Sequence, residues 1–254
     1  MAGRRRVLIT GASTGIGRAL AVRYAAGGHP VGVTARRADL LAELVAEVRV
    51  AGGTIEAAAA DVTDPAGLAA ALHDLEARLG GVDVLIANAG VSAPTGGVAV
   101  NADGVELMMR VNFLGVVHAF AAVLPGMVAR GAGHVVAISS MAAYKGLPGA
   151  AGYCASKAAV FSYCEALRIE LGSRGVAVTC VCPGFVATPM TSPNQHPMPW
   201  LMTADAAAGR IVRGLVRQPA VLDFPKRMRL VMALTRWLPD AVIRRRVPGG
   251  ADSV

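Results

Sequence analysis

Lysine, aromatic side chains and paired cysteines are all scarce in this chain. Only Lys145, Lys157 and Lys226 occur among 254 residues, so arginine supplies most of the 25 basic groups set against 17 acids. Aromatics make up 4% and charged residues 17%, whereas 54% are hydrophobic. Such a balance excludes extended disorder, and a core so poor in aromatics must be built from Ala, Val, Leu and Ile. The four cysteines, Cys154, Cys164, Cys180 and Cys182, form no CxxC pair. They indicate neither a disulfide framework nor a zinc site, and reduced thiols in a cytoplasmic protein are expected. His118, His134 and His196 have no ligand spacing with another donor, so no metal is expected. The longest apolar stretch, Phe113 to Ala129, is broken by His118, Pro125 and two glycines. It falls short of the roughly 20 residues that span a bilayer, and it reads as a buried helix. Val7–Thr10, which follows Arg4–Arg6, is too short for a secretory h-region.

The net charge of +8 is mostly a property of the tail. Residues 226–254 hold seven basic groups against Asp240 and Asp252, and the other 225 residues are nearly balanced. A nucleic-acid stripe across the domain is thereby excluded.

Short β-like runs alternate with longer helical ones. Strands are expected at Val7–Thr10, Val31–Ala35, Ile55–Val62, Val82–Ala87, His134–Ile138, Val176–Val181 and Val221–Phe224. Helices are expected near Ile16–Ala26, Ala38–Val50, from Pro65 behind an Asp64 cap, Ala102–Arg130, Gly152–Ser173 and from Thr203 to Arg217. The pattern implies α/β architecture: a single Rossmann-like, doubly wound parallel sheet of about seven strands with helices on both faces. Residues 1–225 would form that domain, and 226–254 a basic, amphipathic C-terminal extension of it. Lys226–Val247 mixes apolar residues with arginines, so the extension can pack over the cleft or a neighbouring subunit. An anionic membrane surface is the lesser alternative.

Three clusters carry chemistry. Gly11, Gly15 and Gly17, in the run Thr10-Gly11-Ala12-Ser13-Thr14-Gly15-Ile16-Gly17, follow a strand and open a helix, the setting in which backbone approaches a pyrophosphate. The second strand ends Thr34-Ala35-Arg36-Arg37, without the acid that holds adenosine ribose hydroxyls. Guanidinium groups there suit a 2′-phosphate, which favours NADP(H) over NAD(H). Tyr153 and Lys157 stand one helical turn apart on one face, with Ser140 at the end of the preceding strand. A free phenol titrates near about 10. A nearby ammonium is expected to lower that value and let the tyrosine exchange a proton with an alcohol or carbonyl.

In combination and order these elements resemble the short-chain dehydrogenase/reductase family over roughly residues 4–217. Thr10–Gly17 is similar to the family's cofactor turn, Asp61 and the adjacent Val62 to its adenine contact, and Asn88-Ala89-Gly90 to its NAG element. Asn112 is similar to the asparagine that supports the family's proton relay. Ser140, Tyr153 and Lys157 resemble its active-site set, and in the family Tyr153 and Lys157 positions also meet the cofactor. Pro183-Gly184, Val186 and Thr188 resemble the segment that packs on the nicotinamide. The resemblance implies hydride transfer between a nicotinamide and a carbonyl or alcohol substrate, in a homotetramer or homodimer. One departure stands out: Thr14 occupies a place where many NADP-preferring members carry Arg or Lys.

The apolar Met190, Met198, Trp200, Leu201 and Met202 fall where the family has its substrate loop, which suggests a hydrophobic substrate. Alternatives are an NAD-linked alcohol dehydrogenase, opposed by Ala35 and Arg36, and a 3-oxoacyl-carrier-protein reductase, which would need a basic docking patch. A non-catalytic dinucleotide-sensing protein is the alternative of another class, and the intact Ser140, Tyr153 and Lys157 count against it.

Overall fold

The computed structural model describes residues 3–97, 99–194 and 197–235. His196 and most of the basic extension, including Trp237 and Arg244–Arg246, lie outside the described residues. The strands β1 (Val7–Thr10), β2 (Val31–Ala35), β3 (Ile55–Ala59), β4 (Val84–Ala87), β5 (Gly133–Ile138), β6 (Val176–Pro183) and β9 (Val221–Phe224) form one sheet. Its order is β3-β2-β1-β4-β5-β6-β9, parallel throughout. A separate pair, β7 (Val186–Ala187) and β8 (Met202–Thr203), closes the segment after β6.

Alternation along each strand explains why the sheet needs cover on both sides. In β1, Val7 and Ile9 enter one core and Leu8 the other; in β4, Val84 and Ile86 oppose Leu85 and Ala87. The first core packs against α1 (Gly15–Ala26), α2 (Ala38–Val50) and α7 (Ala204–Leu215). The second packs against α3 (Pro65–Leu79), α5 (Gly115–Arg130) and α6 (Ala151–Leu171). Strand order reverses between β1 and β4, and the crevice above their carboxyl ends is where such sheets bind ligands.

Local chemistry sets several boundaries. Asp64 caps α3 by accepting from the amides of Ala66 and Gly67, both at 3.1 Å, and Thr203 caps α7 through Ala206 N at 3.1 Å. β3 stops at Ala59 and does not run to Val62, because Asp61 folds back to accept from Thr63 N and Oγ1, each at 2.9 Å. β4 begins at Val84 and not Val82, because Asp83 is engaged by the Arg6 guanidinium. The helix expected over Ala102–Arg130 is not uniform: α4 (Ala102–Met108) and α5 flank a π-helical stretch, Met109–Leu114. By length and composition Ala102–Arg130 could cross a membrane. Here Val116, Ala119, Phe120, Val123 and Met127 are buried against the sheet, as in a core helix.

α8 (Lys226–Thr235) is the described part of the extension. Arg229 pairs with Asp223 of β9 at 3.2 Å, Met228 and Met232 face the core, and Leu230, Val231 and Leu234 are exposed.

Candidate active site

The turn after β1 is packed tightly enough that only glycine fits. Gly11 has φ +69°, and a Cβ there would stand 2.6 Å from Ala89 Cα. A Cβ on Gly17 would lie 2.5 Å from the Gly11 carbonyl oxygen and overlap the Asn88 amide. Asn88 explains the arrangement. Its Nδ2 donates to the carbonyls of Thr10 and Gly11, both at 3.0 Å, while its own backbone N–H reaches Thr10 Oγ1 at 3.1 Å. The asparagine thus ties the end of β4 to the start of the glycine turn and leaves the α1 N-terminus facing the crevice. Side-chain-free backbone at a helix N-terminus fits a pyrophosphate.

A cleft of about 540 Å³ runs from this turn to Ser140, Tyr153 and Lys157. Its lining includes Gly11, Ser13, Thr14, Gly15, Ile16, Arg36, Arg37, Asp61, Val62, Asn88, Ala89 and Gly90. Ser140, Tyr153, Lys157, Pro183, Gly184, Val186 and Thr188 continue it. Of the expected site residues, Gly17 and Asn112 stand behind that lining. Gly17 packs on Asn88, and Asn112 is fully buried.

At the glycine-turn end of the cleft, Arg37 Nη2 donates to Ser13 Oγ at 3.0 Å and Thr14 Oγ1 at 3.1 Å. Arg36 leans toward Asp61 at 3.9 Å and is largely exposed. The positive charge that Thr14 does not provide therefore reaches the glycine turn from the end of β2. Burial opposes the Asp61 charge, but the two Thr63 hydrogen bonds, with Arg36 and Arg110 nearby, hold its carboxyl below the usual range. Sequence reasoning missed His118, whose Nδ1 lies 2.9 Å from the Val62 carbonyl and anchors this corner to α5.

At the other end, Ser140 closes β5 in an extended conformation. Its Oγ accepts from Ala142 N at 3.1 Å and hydrogen-bonds the Tyr153 side chain. Tyr153 and Lys157 lie on the first turns of α6. Ser139 fastens that helix to β5 by donating to the Lys157 carbonyl at 2.8 Å. Lys157 is 3% exposed, and its Nζ donates to the Ile138 carbonyl at 2.9 Å. Asn112, on the π-helical stretch, ties the segment after β4 to α6. Its Oδ1 accepts from Val91 N at 2.7 Å, and its Nδ2 donates to Val91 O and Ser156 Oγ, each at 3.0 Å. Ser139 and Ser156 carry no motif of their own, and only their place beside motif residues marks them in the sequence, whereas Thr10 opens the glycine-turn run.

The electrostatics correct one expectation. Burial raises the Tyr153 phenol above its ordinary value, and the hydrogen bond with Ser140 only partly offsets this. Lys157, whose Nζ stands 5.8 Å from the ring centroid and gives one hydrogen bond to Ile138 O, does not reverse the shift. Tyr153 is therefore held in its neutral form. Burial also lowers Lys157 to about 8. The sign follows directly: the ammonium is present below that pH and lost above it. The unfolded lysine, near about 10.4, still binds its proton there, so folding stability rises with pH between the two values. The rate of any reaction that relies on this ammonium is expected to fall as pH rises through about 8. A pH–rate profile flat to pH ~10 would contradict that assignment.

Comparison with known proteins agrees with this geometry. The short chain dehydrogenase family matches residues 5–199, and the chain belongs to that family. An uncharacterized oxidoreductase of Myxococcus xanthus is 39% identical over 245 residues, covering 95% of this chain and 97% of its own. A 1-deoxy-11-beta-hydroxypentalenate dehydrogenase of Streptomyces avermitilis is 36% identical, covering 82% of this chain and 80% of its own. Among solved structures, a short-chain dehydrogenase from Sphingobium yanoikuyae in complex with NADPH superposes with a TM-score of 0.80. It is 33% identical over 95% of this chain and 93% of that one. The family and fold make this an NAD(P)-dependent oxidoreductase.

Proposed function

We propose that the protein is an NADP(H)-dependent reductase of a hydrophobic carbonyl compound, reversible toward the corresponding secondary alcohol. The observation that carries this reading is a single cleft that joins paired guanidinium groups at one end to Ser140, Tyr153 and Lys157 at the other. Gly11, Ser13, Thr14, Gly15 and Ile16 would hold the pyrophosphate and ribose, and Arg36 and Arg37 the 2′-phosphate. Asp61 and Val62 would meet the adenine. Asn88, Ala89, Gly90, Pro183, Gly184, Val186 and Thr188 would frame the nicotinamide half. When bound there, the dinucleotide would supply a hydride. Ser140 Oγ orients the carbonyl oxygen, and the raised phenol of Tyr153 gives the proton that this oxygen takes up as charge develops on it. Lys157 stabilises the resulting phenolate from across the ring, and Asn112 fixes the Val91 segment that walls the site.

The NADPH-bound relative supports the cofactor preference, as does Arg37 on the glycine turn. An Arg37→Ala variant is expected to lose about 1.5–3 kcal/mol of NADPH binding, the range for hydrogen bonds to charged groups, and to bind NADH almost as before. Equal losses for both cofactors would remove Arg37 from the 2′-phosphate. Loss of nicotinamide absorbance on mixing enzyme, NADPH and a panel of ketones tests the reaction itself; no turnover with any carbonyl would sink the reading. Assembly as a dimer or tetramer through α5 and α6 is part of the same proposal, checked by sedimentation velocity.

A further inference from the structure

The segment between β3 and α3 carries Asp61 and Val62 to the cleft wall. Its side-chain and turn hydrogen bonds close it upon itself. Asp61 Oδ1 accepts from Thr63 N and Oγ1, each at 2.9 Å, and Asp64 N donates to the Asp61 carbonyl at 3.1 Å. Ala60 N, at the start of the segment, donates to Ala35 O at the end of β2, also at 3.1 Å. Bonds within a turn fix its shape, but not its distance from the rest of the cleft.

Helix α5 sets that distance, and it grips Val62 twice. Gly115 opens the helix, and a Cβ there would lie 2.8 Å from Val62 Cγ2 and 3.0 Å from Val62 Cβ. The helix backbone thereby closes directly on the valine side chain. One turn further along the same helix face, His118 Nδ1 stands 2.9 Å from the Val62 carbonyl oxygen. A carbonyl only accepts, so Nδ1 carries the proton and donates it, which fixes the tautomer. His118 itself stands behind the cleft lining, whereas Val62 is part of it. Asn112, earlier in the same helical run, holds Val91 and Ser156 at the Tyr153 end. One helical run therefore fixes both halves of the cleft.

Resting on the NADP(H) reading above, we propose that His118 is a positioning residue for the adenine. By holding the Val62 carbonyl it keeps the Asp61–Val62 wall in place before the dinucleotide arrives. A wall already ordered spares the ordering cost that binding would otherwise bear. The effect reaches the adenosine half of the dinucleotide and not the nicotinamide half.

The test compares His118→Leu, which keeps the bulk and removes the donor, with His118→Asn, whose amide nitrogen stands where Nδ1 does. Each is titrated calorimetrically with NADPH, with reduced nicotinamide mononucleotide, and with adenosine 2′,5′-bisphosphate, which carries only the 2′-phosphorylated adenosine half. Melting temperatures are recorded beside them. His118→Leu is expected to bind NADPH and the bisphosphate about 5–10-fold more weakly than wild type, the loss of one hydrogen bond. It should bind the mononucleotide as wild type does, and His118→Asn should regain most of the loss. Bisphosphate binding by His118→Leu at wild-type strength would overturn the proposal. An equal loss for all three ligands would also overturn it and leave His118 a role in stability alone. Should the leucine variant fail to fold, His118→Ala is expected to show the same selective loss, with the same two results against it. Wild type that binds neither NADPH nor the bisphosphate would overturn the NADP(H) reading and this proposal with it. That outcome is read before any variant is compared, so the two failures are distinct.

Discussion

Replacement of Tyr153 by phenylalanine is expected to lower turnover by about 10²–10⁴-fold, the contribution of a positioned acid, with NADPH affinity essentially unchanged. The ring that Lys157 faces at 5.8 Å remains, and so does its packing on α6. What is lost is the hydroxyl that Ser140 hydrogen-bonds and that burial keeps protonated. Ser140→Ala should cost less, because the proton donor persists and only the orienting contact is gone. Stopped-flow binding of NADPH, run beside steady-state reduction, separates the two quantities. A Tyr153→Phe enzyme that still turns over within a few-fold of wild type would mean the proton comes from elsewhere.

The second large effect is expected at Gly11. Alanine there must adopt φ +69° and place its Cβ 2.6 Å from Ala89 Cα and 2.9 Å from Ala89 N, both backbone atoms of the neighbouring strand end. Nothing at that contact can swing aside as a flexible side chain would. The positive φ and the overlap together should cost on the order of 2–4 kcal/mol, lower the melting temperature by several degrees, and abolish NADPH binding as the turn moves away from β4. Gly28→Ala provides the control. It shares a left-handed backbone, φ +79°, but nothing lies within 4 Å of its Cβ, so only the backbone term should appear. Equal melting shifts for the two variants would show that the approach of β1 to β4 is not the constraint.

Much of this was legible in the sequence because strand periodicity and turn chemistry act locally. The runs Val7–Thr10, Val31–Ala35 and Val221–Phe224 are strands with those bounds, and the Asp64 and Thr203 caps form as their residue types demand. The motif residues meet in one cleft because each stands at the carboxyl end of a parallel strand or at the start of the helix that follows. Less legible was whatever depends on long-range contact. The π-helical stretch at Met109–Leu114 carries no composition of its own; it coincides with the place where Asn112 turns inward to clamp Val91. The sequence singles out Arg36 after Ala35, whereas it is Arg37 that reaches the Ser13–Thr14 turn, a contact that depends on how that turn approaches the end of β2. The influence of Lys157 on Tyr153 was misjudged for a similar reason. Spacing along a helix places two residues on one face but does not reveal how deeply the Tyr153 phenol is buried.

The most direct measurement is a fluorescence titration of the purified protein with NADPH and with NADH, for wild type and for the Arg36→Ala, Arg37→Ala double variant. Wild type is expected to bind NADPH at least ~10-fold more tightly than NADH, as about 1.4 kcal/mol or more of 2′-phosphate recognition requires, and the double variant to lose this preference. Equal or tighter binding of NADH by wild type would contradict it.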